Sequence, residues 1–142
     1  MNALAGEKLA IVSPKPQTTR NRVLGVINIP PKKRRPGAQV ILIDTPGVHR
    51  PDSSLGRKMM AEVREALQGC DLVLVIVDAA KKIDADRGFL FNILKHTETA
   101  AFLLLNKIDL LRGGKAKLLP IIEQVSKLYQ FREVIPISAR RR

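Results

Sequence analysis

Two short strings in the chain hold residues that could do chemistry. Asp44-Thr45-Pro46-Gly47 follows one apolar, β-branched run, and Asn106-Lys107-Ile108-Asp109 follows another. Ligands of open α/β sheets sit outside the carboxyl ends of the strands, so both strings occupy positions where a site is built. A carboxylate at Asp44 can hold Mg²⁺, usually through a water. Gly47 can offer its backbone N–H to a terminal phosphate, and without a side chain it permits the peptide flip that a switch requires. A strand ending in a plain Pro-Gly turn would present the same four residues. Asp109 can accept two hydrogen bonds, from the N1–H and 2-amino groups of guanine, and adenine offers neither donor in that arrangement. A site that pairs buried polar groups in this way rejects the wrong partner by roughly 10⁴-fold. The aliphatic stem of Lys107 can lie over a base, and Asn106 can tie neighbouring loops together. Ser138-Ala139, after the last apolar run, could bring a backbone N–H to the guanine carbonyl oxygen. A polar turn at a strand end is the alternative for Asn106–Asp109. The two strings together, in this order, weigh against it. No Gly-x-x-x-x-Gly-Lys-Ser/Thr occurs in the sequence, so a phosphate cradle is missing from these residues.

The elements that must position these strings can be read from hydrophobic pattern. Arg22–Ile29 and Ala38–Thr45 are strand candidates, joined across Pro31–Pro36 in a predicted antiparallel hairpin. Leu72–Ala79 and Ala101–Asn106 are near-continuous apolar runs, the pattern of strands buried on both faces of a parallel sheet. Val134–Ser138 is a shorter fifth candidate. Ser53 or Ser54 can cap a helix with Leu55, Met59, Met60, Val63 and Leu67 on its apolar face, and Glu62 lies within pairing distance of Lys58. A second helix is predicted from about Asp84 to His96, carrying Phe89, Leu90, Ile93 and Leu94. A third runs over about Lys117–Tyr129, with Leu118, Ile121, Ile122, Val125 and Leu128 inward. The order β-β-α-β-α-β-α-β predicts a doubly wound α/β sheet, mostly parallel, with one antiparallel edge hairpin.

With 142 residues, 45% of them apolar, the chain is long enough for a real core. The single cysteine, Cys70, leaves no internal disulfide framework, and it reads as a small apolar residue at a helix end. No stretch approaches the ~20 apolar residues of a membrane span, and the first residues lack the long apolar segment of a secretory signal. A cytoplasmic protein is the default expectation. The formal charge is +12, and Lys32-Lys33-Arg34-Arg35 with Arg140-Arg141-Arg142 supplies more than half of it. Clusters of this kind attract polyanions such as RNA, anionic lipid or nucleotide phosphates, though solvated loops give the same composition.

The segment Gly6-Glu7-Lys8-Leu9-Ala10-Ile11-Val12-Ser13-Pro14-Lys15-Pro16-Gln17-Thr18-Thr19-Arg20-Asn21-Arg22 resembles the switch I region of the Era family of bacterial GTPases. The resemblance continues through Asp44-Thr45-Pro46-Gly47-Val48-His49, Asn106-Lys107-Ile108-Asp109 and Pro136-Ile137-Ser138-Ala139, and so covers nearly the whole chain. It implies a P-loop GTPase sheet, GTP or GDP with Mg²⁺ as ligands, and the small ribosomal subunit and its RNA as partners. By the same resemblance Gln17, Thr18, Thr19, Arg20 and Asn21 form switch I, with Thr18 or Thr19 reaching Mg²⁺ and Asp44 reaching it through a water. Asp44–Val48 corresponds to switch II, Asn106–Asp109 to the guanine reader and Ile137–Ala139 to its helper. Val48 stands after the glycine, and the family has no water-orienting glutamine of the Ras kind there. Attack on the γ-phosphate is then expected to rely on backbone groups, bound ions and partner activation. Family analogy also allows a peripheral position at the inner membrane face.

Two departures shape the expectations. Era-type proteins carry a strand and a P-loop ahead of this segment, and Met1-Asn2-Ala3-Leu4 resembles the tail of the helix that follows the P-loop. They also carry a KH RNA-binding domain, which has no counterpart in these residues. The expectation is therefore a partial G domain over 1–142, with the first strand and P-loop missing, impaired nucleotide binding and marginal stability by itself. The alternatives are a non-catalytic RNA- or partner-binding module derived from a GTPase, and an inactive gene fragment. The basic Lys32–Arg35 stretch is not part of the family pattern.

Overall fold

The computed structural model describes residues 2, 6, 22–48, 50–81, 85–111 and 114–141. The elements follow the expected order: β1 (Val23–Ile29), β2 (Ala38–Asp44), α1 (Ser54–Gln68), β3 (Val73–Asp78), α2 (Ala85–Leu94), β4 (Ala101–Asn106), α3 (Leu118–Leu128) and β5 (Glu133–Pro136). The chain divides into two compact units, Met1–Gly47 with Pro51–Ala66, and Val48–Arg50 with Leu67–Arg142.

In the first unit β1 and β2 pair antiparallel from Val23↔Asp44 to Ile29↔Ala38, the hairpin expected from the Pro-rich connection. Helix α1 begins where Ser53 caps it: its Oγ accepts the Gly56 N–H at 3.1 Å. Gly56 is buried and lies so close to Pro51 that a Cβ would sit 3.2 Å from the Pro51 Cα. Met59, Met60, Val63 and Ala66 are the buried apolar side chains of the helix. Leu55, expected on that face, is instead exposed at the first turn, where the buried position is taken by Gly56, packed against Pro51. Glu62 does not pair with Lys58 but with Arg22, at 2.9 Å, and Glu65 joins the same guanidinium at 3.0 Å. The planar fork of Arg22 offers separate donors to the two carboxylates, a better arrangement than one ammonium on a mobile stem. Replacing the capping hydroxyl, Ser53→Ala, is expected to lower unfolding free energy by about 1 kcal/mol, read from denaturant midpoints.

In the second unit β3, β4 and β5 form a parallel sheet in that order, with Val73↔Ala101 to Asp78↔Asn106 and Phe102↔Glu133 to Leu105↔Pro136 in register. The central strand β4 is buried on both faces, with Leu103 and Leu105 fully inaccessible and Leu104 nearly so. Strand β3 does not match the expectation throughout, since Ile76 is 54% exposed while Val75 and Val77 are buried. Val75, Val77, Leu103 and Leu105 pack with Phe91 and Leu94 of α2 and Leu118 and Val125 of α3 into one apolar core. Phe91, which helical spacing did not single out, meets Phe131 edge-on at 5.9 Å between ring centres. Pro120 is tolerated in α3 because it falls in the first turn, where N–H groups have no intrahelical acceptor. Met59 and Met60 are core residues as expected, and Cys70 is half-buried, its thiol donating weakly to Leu67 O at 3.4 Å. The predicted helix start at Asp84 lies outside the described residues. No described helix is long and apolar enough to cross a membrane.

Candidate functional site

The carboxyl ends of β3, β4 and β5 carry the best-defined polar arrangement of the second unit. Strand β4 ends at Asn106, and Lys107 takes a left-handed conformation, φ 64° and ψ 33°, before the 3₁₀ turn Ile108–Leu110. A lysine held there costs on the order of 1 kcal/mol, a strain typical of binding sites. The surroundings hold it in place. The Lys107 N–H donates to Asn106 Oδ1 at 2.8 Å, and Leu110 N–H donates to Lys107 O at 3.0 Å. Ile137 N–H donates to Leu105 O at 2.8 Å and Ile108 N–H to Ile137 O at 3.3 Å, which ties this turn to the segment after β5. Asn106 Oδ1 also accepts the Ala139 N–H at 3.0 Å, so one side chain joins the two loops.

Asp109 and Ser138 meet across the same gap. The Ser138 hydroxyl donates to Asp109 Oδ1 at 2.6 Å, a short charge-assisted bond, while Ser138 Oγ accepts the Arg141 N–H at 3.3 Å. The Ser138 hydroxyl is the main reason that the Asp109 carboxyl lies below its ordinary range, with Arg141 and Arg140 adding to it. Asp109 is therefore an anion at neutral pH, and a carboxylate has four lone-pair sites, of which Ser138 fills one. The arrangement leaves capacity to accept two N–H donors from a flat ligand.

A contact that sequence reasoning missed orients the lysine. Lys107 Nζ lies 2.8 Å from Asp78 Oδ2 at the end of β3, and Asp78 Oδ1 accepts the Ala80 N–H at 3.0 Å. Partial burial opposes the Asp78 charge, but the Lys107 and Ala80 hydrogen bonds, with the charges of Lys107 and Lys81, hold its carboxyl below the usual value. The available signal was an aspartate closing a buried parallel strand, as Asp44 closes β2. Its register partner is Asn106. Ser138 contributes its hydroxyl, a role that the sequence did not suggest. The Ala139 N–H donates to Asn106 Oδ1.

Both depressed carboxyls link the site to stability. The unfolded chain binds protons at the ordinary aspartate value of about 4, before folded Asp78 and Asp109 do. Their contribution is thus complete above that value and is lost as pH falls through the lower folded ones. Denaturant midpoints of the chain are expected to stay flat on this account from pH 7 to about 5 and to fall below about 4. Asp78→Asn should flatten the acid limb.

In the first unit, Asp44 closes β2 and is half-buried, as is Thr45; Pro46 is fully buried, and Gly47 is exposed with nothing within 4 Å of where a Cβ would stand. Among the described residues nothing stands against the Gly47 Cα. Val48, which belongs to the second unit, is half-buried. Gln17, Thr18, Thr19, Arg20, Asn21 and His49 lie outside the described residues. Among the described residues no group of three or more His, Cys, Asp or Glu could hold a metal by itself.

The parallel sheet with this turn and carboxylate at its strand ends superposes on solved GTPase domains, which sets the class of the protein. The sequence model of the family described as 50S ribosome-binding GTPase matches residues 1–107. GTPase Era of Geobacter sp. (strain M21) is 41% identical over 139 residues, 98% of this chain and 44% of that protein. GTPase Era of Ruminiclostridium cellulolyticum is 44% identical over the same length and coverage. Among solved structures, Era in complex with MgGDPNP and nucleotides 1506–1542 of 16S ribosomal RNA superposes with a TM-score of 0.85 at 37% identity, over 97% of this chain and 45% of that one. Aquifex aeolicus Era bound to GDP·AlF₄⁻ superposes at 0.83, also with 37% identity and the same coverage. This chain belongs to the Era family of GTPases. It spans less than half the length of the relatives it matches.

Proposed function

We propose that these residues form the base-reading and switch-bearing part of the G domain of an Era-type GTP-binding protein, with GTP hydrolysis and small-subunit ribosome assembly as the activity of the full-length protein. The observation that carries the reading is the Asp109 carboxylate, ionised and fixed by Ser138 beside the Lys107 turn. Asp109 accepts the guanine N1–H and 2-amino group, and Lys107, steered by Asp78, lays its stem along the base. Asn106 keeps the two loops in register. Mg²⁺ prefers few protein ligands and several phosphate and water oxygens, and Asp44 at the end of β2 would reach it through a water. The open Gly47 backbone can donate its N–H to the γ-phosphate. Small-subunit RNA is the proposed partner of the full-length protein; the similar Era structure was solved with 16S ribosomal RNA.

Titration of the ¹⁵N-labelled chain with GDP and with ADP at millimolar concentration tests the reading. GDP is expected to move the amide signals of residues 106–109 and 137–139, and ADP to leave them in place. Equal responses to both nucleotides, or none to either at saturating concentration, would remove the base-reading assignment.

A further inference from the structure

The strongest surface feature outside the strand-end sites is the tip of the β1–β2 hairpin. Lys32 N–H donates to Arg35 O at 2.8 Å and Arg35 N–H donates to Lys32 O at 2.9 Å, so Lys33 and Arg34 are the central pair of a closed turn. Pro30-Pro31 and Pro36-Gly37 flank it, and Gly37 sits close enough to Pro31 that a Cβ would stand 3.3 Å from the Pro31 Cδ. Every residue from 30 to 37 is exposed. The stretch 23–43 contains no aspartate or glutamate, and among the described residues none of the four cations has a carboxylate partner. Four like charges are thus held together without compensation at the end of a rigid ribbon. A partner that supplies several anions relieves their repulsion, and the prolines and paired turn reduce the ordering cost of docking.

The chemistry of the tip selects among polyanions. Two guanidinium groups suit phosphate oxygens, which they can grip bidentately. Immediately behind the turn Gln39 Nε2 donates to Asn28 Oδ1 at 3.0 Å, and both amides are exposed, leaving a donor and an acceptor for ribose hydroxyls or base edges. A lipid surface would favour an aromatic or long aliphatic side chain to insert, and between Ile29 and Ala38 the tip has, besides its four cations, only prolines and a glycine. We propose that the Lys32–Arg35 turn, with the Asn28–Gln39 pair behind it, is an RNA-backbone contact, independent of the guanine site.

The test is binding of a fluorescein-labelled, mixed-sequence single-stranded RNA to the chain as a function of salt. If the four cations meet phosphates, they contribute about −2.8 to the slope of log K against log salt. The double variant Lys33→Gln/Arg34→Gln is expected to weaken binding about 25-fold at 0.1 M salt and to reduce the slope by about 1.4. Lys33→Arg should retain the affinity, and Arg140→Gln/Arg141→Gln should leave the tip's share unchanged. The turn is exposed, so thermal melts of the variants should match the parent. An unchanged affinity and slope in the tip variant would overturn the proposal. So would a tip-dependent affinity for phosphatidylglycerol vesicles in a chain that ignores RNA. Neither readout uses guanine nucleotide, so the base-reading assignment stands or falls separately.

Discussion

Fused ahead of Met1, a β-strand ending in Gly-x-x-x-x-Gly-Lys-Ser with its following helix is expected to raise the GDP affinity of the 142-residue polypeptide by at least about a thousandfold. A phosphate loop supplies several backbone N–H donors, an ammonium and a hydroxyl ligand for Mg²⁺. Each charge-assisted hydrogen bond contributes roughly 1.5–3 kcal/mol, so about five of them supply on the order of 10 kcal/mol. A nanomolar complex needs about −12 kcal/mol in all. The base-side contacts proposed for Asp109 and Lys107 would by themselves therefore support millimolar binding or weaker. Summed bonds overstate the total, and a thousandfold gain is the conservative end of the range. Isothermal titration of the parent and fused polypeptides measures it. A parent that binds GDP below about 10 µM would show that these residues grip phosphate by some other means. The same fusion is expected to raise the melting temperature. Leu24 and Ile41 of the hairpin are 68% and 61% exposed, more open apolar strand surface than a stable sheet leaves uncovered.

Element order and strand ends were legible because they depend on local pattern. Ala101–Asn106 is so continuously apolar that a strand covered on both faces was the only economical reading, and Leu103 to Leu105 fit it. The hairpin followed from two β-branched runs with prolines between them. What escaped depends on contacts between distant segments. Glu62 had a lysine at helical spacing, but the preference went to the guanidinium of Arg22, brought near by the fold. Leu55 fell in the apolar stripe of a regular helix, yet in the first turn Gly56, against Pro51, is the buried residue and Leu55 is exposed. Asp78 carries no spacing signal toward Lys107; only the parallel register that sets Asp78 beside Asn106 brings them together. The hydroxyl role of Ser138 likewise needs the loop after β5 to fold against the turn at Asp109.

The second large effect concerns which base the site accepts. In the fused polypeptide, Asp109→Asn is expected to weaken GDP at least about 100-fold while improving xanthosine diphosphate by a comparable factor. The reason is a reversal of one hydrogen bond. Guanine presents two donors, N1–H and the 2-amino group, to two carboxylate acceptors. Xanthine keeps N1–H and replaces the amino group with a carbonyl, which a carboxylate repels and an amide N–H satisfies. Ser138 makes the exchange possible because its hydroxyl donates to one oxygen of residue 109 in either variant and fixes which atom is left for the base. Ser138→Ala should therefore blur the discrimination rather than invert it. Losing the short bond also lets the Asp109 carboxyl rise toward its ordinary value of about 3.9, still ionised at pH 7. Asp78→Asn is the contrasting control. It frees the Lys107 ammonium from its ion pair and is expected to weaken both nucleotides together, since on the proposed reading the lysine stem would lie along either base and read neither edge. Competition of the two diphosphates against a fluorescent GDP analogue separates these outcomes. An Asp109→Asn protein that still prefers GDP would place base recognition on some other residue.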